Sequence, residues 1–481
     1  MSNPGYHRLL GNVGWLSVGE LFNRAAGLFI ALYLARVLGP KWYGIVGSAI
    51  AVYSCFAVLV QAGLEPAGIR EISRNPTNAQ AVFTQNSSLR LLLALVTFVT
   101  LLAASPFLAE ALSVPWWLLV IYAGCFFPTA LSATWVLRGL EEMRLVAIAI
   151  ASQRVLIAIG IVLFIREPRA DLPYVALIEV AVMVLISAWT IQRVRSIWGG
   201  LSHDLGLRYW QALMREALPI VGSRLLMLVY SNGDILLLGI LTGPVTAGVF
   251  LVAQKLTITV WQLATVFLIA SFPEVSRRVE KDKQAAISLQ ADVLRYLLVI
   301  SIPFVVTAII FAKPMVVFLF GQAYVQAAVV LTVLALCLPV SFAVGCLRQL
   351  LFAAACPGKA FTGYLFGTSV HIALAILWIP LAGPTGAALA CFTGEVFVLL
   401  TLVFFVLRQL QVSLWLPRAF SPIAAGVVLG LVISALLPAN IFVLTIVGII
   451  IYTALLFMFG SINKVEVLAV ITKFHGLLKR R

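Results

Sequence analysis

The chain has 481 residues, of which 62% are hydrophobic and 11% charged, with a mean hydropathy of +1.07. A water-soluble globule is about half apolar and about a quarter charged, so this composition excludes one and requires an integral membrane protein. The net charge of +15 bears on membrane orientation rather than on nucleic acid, because its placement follows alternate connections between apolar runs; no nucleic-acid partner is expected.

The opening MSNPGYHRLL runs into an apolar stretch too long and too charged for a signal-peptide core, and it lacks a small-residue cleavage site, so it reads as an uncleaved helix. The stretch from Asn12 to Gly44 organises the rest of the chain. It holds about 25 apolar-rich residues, enough to cross a bilayer, yet it carries Glu20 and Arg24. These lie one helical turn apart and can pair on one face, which Asn23 and Gly27 extend as a strip of polar and small residues. An ionised group at membrane depth costs several kcal/mol unless it is paired or faces a cavity, so the strip faces protein or water. Gly39 and Pro40 end the helix, and Trp42 and Tyr43 sit at headgroup level before the next run.

Hydropathy then places fourteen spans, near 12–37, 43–63, 84–105, 115–137, 145–165, 172–193, 217–241, 248–270, 292–312, 325–348, 360–380, 385–407, 419–437 and 441–461. Connections holding Arg70 and Arg74, Arg138 and Arg144, Arg193 to Arg215, Arg277 to Lys283, Arg348 and Lys359, and Arg408 and Arg418 alternate with connections almost free of Lys and Arg. The positive-inside rule makes the basic set cytoplasmic, together with both termini and the tail bearing Lys464, Lys473, Lys479, Arg480 and Arg481. The connections 65–83 and 196–215 are long enough to form interfacial amphipathic helices.

Gly39-Pro40-Lys41-Trp42-Tyr43-Gly44 after the first span has a counterpart in Gly243-Pro244-Val245-Thr246-Ala247-Gly248 after the seventh. On this register Glu20 matches Arg224. Parallel halves with a site near the midplane are a transporter pattern. The expected organisation is an N-terminal lobe at 1–197, a linker at 198–215, a second lobe at 216–412, and two further spans with a basic tail at 413–481.

Further charges at membrane depth are Arg154, Glu179, Arg224, Asp234, Lys255 and Glu395, with His371. One reading is a watery cavity in which guanidinium groups hold phosphate and a carboxylate or His exchanges a coupling ion; the other is structural ion pairing. With Glu20 and Arg24 included the signs balance, four against four, so counting alone does not make the interior cationic. Arg90 and Arg295, near span ends, read as snorkelling. The six cysteines show no CxxC spacing and read as small hydrophobes. No nucleotide-binding Gly-Lys loop, His-Glu-x-x-His pair or nucleophile elbow is present, so no cofactor or metal is expected and the chain does not read as an enzyme.

Asn23-Arg24-Ala25-Ala26-Gly27, Ala35-Arg36-Val37-Leu38-Gly39, Tyr43-Gly44, Gln61-Ala62-Gly63-Leu64 and Ile69-Arg70-Glu71 together resemble the opening of the polysaccharide transporters, Wzx-type O-antigen flippases, of the multidrug/oligosaccharidyl-lipid/polysaccharide flippase superfamily. The resemblance implies an all-α, V-shaped, alternating-access bundle of two pseudo-symmetric six-helix lobes plus two helices in a bacterial inner membrane. It would move a polyprenyl-pyrophosphate-linked oligosaccharide to the periplasmic leaflet, among membrane lipids and beside polysaccharide polymerase or glycosyltransferase partners. Arg24, Glu20, Asn23, Arg154, Arg224 and Lys255 are then the substrate-binding candidates, and Asp234, Glu179, Glu395 and His371 the ion-coupling ones. Lipid II flippases share the arginines at Arg24 and Arg36 but typically carry another where this chain has Ile30. A multidrug/cation antiporter and a membrane glycosyltransferase or ligase complete the alternatives.

Overall fold

The computed structural model describes residues 4–198, 207–412, 421–435 and 441–458. Residues 199–206 of the expected linker at 198–215, both ends of the thirteenth span at 419–437, the end of the fourteenth at 441–461 and the basic tail from Lys464 to Arg481 lie outside them. Among the described residues the regular elements are helices: α1 (Pro4–Gln61), α2 (Leu64–Arg74), α3 (Ala79–Leu112), α4 (Trp116–Ala123), α5 (Phe126–Leu131), α6 (Thr134–Gly139), α7 (Met143–Phe164), α8 (Leu172–Trp198), α9 (Leu207–Leu241), α10 (Pro244–Lys281), α11 (Lys283–Phe320), α12 (Ala327–Ala353), α13 (Pro357–Leu410), α14 (Ser421–Ala435) and α15 (Ile441–Met458), with short 3-10 turns at Pro76–Asn78 and Gln322–Tyr324. Among the described residues, ten helical stretches are long and apolar enough to cross a membrane.

Two of the ten are doubled. A continuous α1 of 58 residues would run about 87 Å at 1.5 Å per residue, nearly three bilayer cores. It breaks at Gly39, whose φ of 71° and ψ of 173° belong to a region only glycine enters readily. Gly383 (φ 54°) breaks α13 in the same way, directly before Pro384.

The fourth span, expected as one helix, is three. Pro128 has no N–H, and its ring opposes the carbonyl four residues back, at Gly124, where α4 ends. A second break at Ser132 and Ala133 separates α5 from α6. The freed backbone groups are taken up by side chains: the Ser187 hydroxyl donates to Pro128 O (2.8 Å), Arg90 Nη2 donates to Thr129 O (2.7 Å), and Ala133 N donates to Thr190 Oγ1 (3.3 Å). Irregular backbone at membrane depth is tolerable only on such terms.

Contacts group the chain into two units. The first comprises 1–255 with 319–324 and 379–387; the second comprises 256–318, 325–378 and 388–481. In the first unit α2 turns Leu64, Gly68 and Ile72 inward, with Gly68 against the ring of Trp135. The amphipathic connection therefore lays its apolar face on protein. Trp135, Phe83, Val82 and Val146 close the core around it. In the second unit Leu297, Phe342 and Cys346 centre one cluster, and Ile287, Leu351 and Val398 another. All six cysteines carry free thiols.

The two matching Gly-Pro turns pack on each other within the first unit. A Cβ on Gly44 would stand 1.8 Å from Pro244 O, and one on Gly248 would stand 2.0 Å from Pro40 O. The contact is reciprocal, with each turn's proline carbonyl against the other's glycine.

Arg90 and Arg295 do not snorkel. Arg90 is fully buried, with Nη2 3.1 Å from Glu65 Oε1, and Arg295 is 4% exposed, with Nη2 3.4 Å from Asp292 Oδ1. Each has a carboxylate within reach, which a span-end position in the sequence does not reveal.

Candidate functional site

Close packing between α1 and α7 sets the register of the first unit's polar strip. A Cβ on Gly19 would lie 2.9 Å from Ala147 Cα, so the backbones nearly touch there. One turn further along α1, Asn23 Oδ1 accepts a hydrogen bond from Arg154 Nε of α7 at 3.1 Å. On the same face Arg24 Nε donates to Glu20 Oε1 at 3.1 Å, with the arginine side chain 17% and the glutamate 44% exposed. The pairing expected within the first span is therefore present, and half of it is open.

Arg154 also lies within electrostatic reach of Glu179 on α8 and of Lys255 on α10. Glu179 sits beside the buried hydroxyl of Tyr122. Arg224 on α9 is held elsewhere, with Nη1 donating to Gln61 Oε1 at 3.3 Å. Asp234, two to three turns on, is 3% exposed. Toward the Gly39 end of the first helix, Arg36 Nε caps the end of α11 by donating to Leu319 O (2.7 Å), and Tyr324 Oη donates to Ala35 O (2.9 Å).

The remaining two candidates belong to the second unit. Gly363, Gly367 and Gly394 bring the two halves of α13 together: a Cβ on Gly367 would meet Val398, and one on Gly394 would meet His371 Cβ at 2.5 Å. This small-residue packing buries His371 to 2% exposure and Glu395 to 7%. Glu395 Oε1 accepts the Ser341 hydroxyl at 2.6 Å.

Of the substrate-binding candidates, Glu20 pairs with Arg24 and Asn23 with Arg154, from successive turns of α1, with Lys255 and Glu179 near Arg154, while Arg224 stands with Gln61. Sequence reasoning missed the partners rather than the charges. Gln61, Tyr122 and Ser341 are uncharged residues in apolar runs, and nothing in their spacing marks them out.

Chemically, two guanidinium groups are oriented by neutral amides. An amide oxygen fixes the planar fork without cancelling its charge, so Arg224 keeps donors and charge for a bidentate anion, while Arg154 keeps donors and shares its charge with the nearby Glu179.

The family model described as Polysaccharide biosynthesis protein matches residues 9–279. Comparison with curated proteins gives no match. Among solved structures, "Lipid II flippase MurJ, inward closed conformation" is similar with a TM-score of 0.74 and 14% identity, over 93% of this chain and 98% of that one. An inward-facing multidrug resistance MATE family transporter of the MOP superfamily gives 0.66 and 15%, over 83% of this chain and 99% of that one. An outward-facing one gives 0.55 and 15%, over 82% and 94%. At these identities the likeness is one of fold.

Proposed function

The chain belongs to the polysaccharide biosynthesis protein family, and from that premise we propose that it is a flippase that carries a polyprenyl-pyrophosphate-linked oligosaccharide from the cytoplasmic to the periplasmic leaflet of a bacterial inner membrane. The observation that carries the reading is the pair of amide-held arginines, Arg154 on Asn23 and Arg224 on Gln61. At Arg224 an amide stands where a structural ion pair would put a carboxylate, and at Arg154 an amide shares the guanidinium with the nearby Glu179. An amide leaves the positive charge in force, which suits a pyrophosphate that must be gripped and then released. Arg24, shared with Glu20 and partly open, and Lys255 add to the cationic side. The prenyl chain stays in lipid, so the protein handles only the polar head.

The fold shared with MurJ, itself a flippase of a lipid, supports this class. Lobes at 1–197 and 216–412, a linker at 198–215 and two added spans from 413 are the organisation proposed for it. Translocation draws on an ion gradient, with Asp234, Glu179, Glu395 and His371 as the coupling candidates, and polymerases or glycosyltransferases as working partners.

The test is the leaflet distribution of polyprenyl-linked oligosaccharides in cells depleted of the protein and complemented with wild type or Arg154→Ala, with drug susceptibility followed in the same cultures. Accumulation on the cytoplasmic leaflet that wild type reverses and Arg154→Ala does not is the expected result. Unchanged lipid distribution with raised drug sensitivity would overturn it in favour of a multidrug antiporter.

A further inference from the structure

Two side-chain amides meet on Ser231 in the first unit. Asn232 of α9 donates from Nδ2 to Ser231 Oγ (3.2 Å), and Gln254 of α10 donates from Nε2 to Ser231 O (3.0 Å). Both bonds are exposed, whereas Asp234, two residues on, is turned inward at 3% exposure. Asn232 stands eleven residues before Gly243 and Gln254 ten residues after Pro244, about 15 Å along each helix at 1.5 Å per residue. That is half the hydrocarbon core of a bilayer. An amide left in hydrocarbon at that depth is costly, so this face meets water or a polar ligand.

Each amide has spent one N–H. Among the described residues nothing else takes its carbonyl oxygen or its second N–H, so each still offers one acceptor and one donor in a direction that the Ser231 anchor fixes. A sugar hydroxyl, which gives one proton and accepts another, matches that pairing. An anion does not, because it would face two carbonyl oxygens. The cations stand beside the amides instead: Lys255 follows Gln254 in the chain and lies within electrostatic reach of Arg154.

The ground next to Asn232 is open. A Cβ on Gly233 would meet nothing nearer than Val229 Cγ1 at 3.9 Å. Glycine inside a helix is destabilising relative to alanine, and neither close packing nor a positive φ calls for one here. Its bare backbone leaves a flat place where a sugar ring can lie.

We infer that Asn232 and Gln254, anchored on Ser231, form a sugar subsite: the two amides read hydroxyls of the sugar joined to the pyrophosphate while Arg154 and Lys255 hold the phosphates. The subsite rests on the flippase reading and adds to it a preference for a glycosylated lipid over a bare one.

The experiment measures the affinity of the purified full-length protein in detergent micelles for polyprenyl pyrophosphate, either bare or carrying glucose, galactose or the N-acetylamino form of either. The readout is the ratio of glycosylated to bare affinity. Wild type is expected to bind at least one glycosylated lipid roughly tenfold or more tighter than the bare one, from two neutral hydrogen bonds. Asn232→Ala and Gln254→Ala should each lower that ratio roughly three- to tenfold. Gly233→Leu, which fills the open ground without touching a hydrogen bond, should bring it to one. Arg154→Ala should weaken every lipid and keep the ratio. If Asn232→Ala does not fold, Gln254→Ala on the other helix decides. Amides that only tie α9 to α10 would, when removed, weaken all the lipids alike and leave the ratio unchanged, which would overturn the subsite, as would equal wild-type affinities for bare and glycosylated lipids. A wild type that binds none of them would overturn the flippase reading and the subsite with it.

Discussion

Asn23 and Gln61 determine what Arg154 and Arg224 are able to do. Because Asn23 accepts from Arg154 Nε at 3.1 Å without carrying charge, its role is separable by substitution. Asn23→Ala loses a hydrogen bond to a charged group, worth about 1.5–3 kcal/mol, and should slow translocation roughly tenfold or more. Asn23→Asp restores the bond and cancels the charge. If the free charge is what grips the substrate, Asp is worse than Ala in the leaflet assay, and a rescue by Asp would show that only orientation matters. Arg90 supports a different prediction. Its guanidinium is fully buried on Glu65, so Glu65→Ala leaves a charge in a dry core and should cost on the order of 3–5 kcal/mol, read as a lowered melting temperature. The sequence read Arg90 as snorkelling from its span end; that it is buried was not legible, because the acid that meets it, Glu65, arrives from α2, 25 residues earlier in the chain.

At the scale of elements, the glycines argue most. The Gly-Pro turns at 39–44 and 243–248 were legible as a repeat, and the positive φ of Gly39 (71°) and Gly243 (92°) explains the residue type. Their packing on each other was not legible, since a repeated motif says that two elements are equivalent and not that they touch. The reciprocal approach makes a sharp prediction. Gly44→Ala would put a methyl 1.8 Å from Pro244 O, and Gly248→Ala one 2.0 Å from Pro40 O. Backbone carbonyls cannot step aside, so each should cost about 1–3 kcal/mol through forced separation of the helices. Once one substitution has parted them, the second methyl meets space. The double variant should therefore cost clearly less than the sum, and melting curves of the two singles and the double check it; simple additivity would mean that the contacts are independent. The fourth span shows the opposite case. Pro128 was visible in an apolar run, but the run still read as one helix, because the side chains that rescue its backbone, Ser187, Thr190 and Arg90, lie on other helices.

For the whole molecule, composition settled the class, and alternating Lys and Arg set an expected orientation, because both arise from the bilayer's demands on any chain. The balance of four cations against four anions pointed toward neutral pairing, and that count is where sequence reasoning stops. Arg224 is bonded to an amide, and Arg154 to another amide with Glu179 within reach, so formal neutrality coexists with local charge at Arg224. That distribution bears on energetics. A pyrophosphate carried outward from a negative interior gains about 2.3 kcal/mol per negative charge at 100 mV, whereas protein cations that travel with it subtract from the gain. Amide-held arginines neutralise the headgroup while it is bound, so the loaded outward step should respond only weakly to the potential, and the return of the empty protein, with its cations uncompensated, should carry that dependence. In proteoliposomes supplied with the lipid-linked oligosaccharide, clamping the potential to zero should therefore leave single-turnover outward flipping nearly unchanged and slow multiple turnover. Single-turnover flipping that follows the potential would mean that the headgroup crosses with its charge exposed, and that the arginines select the substrate without carrying its charge.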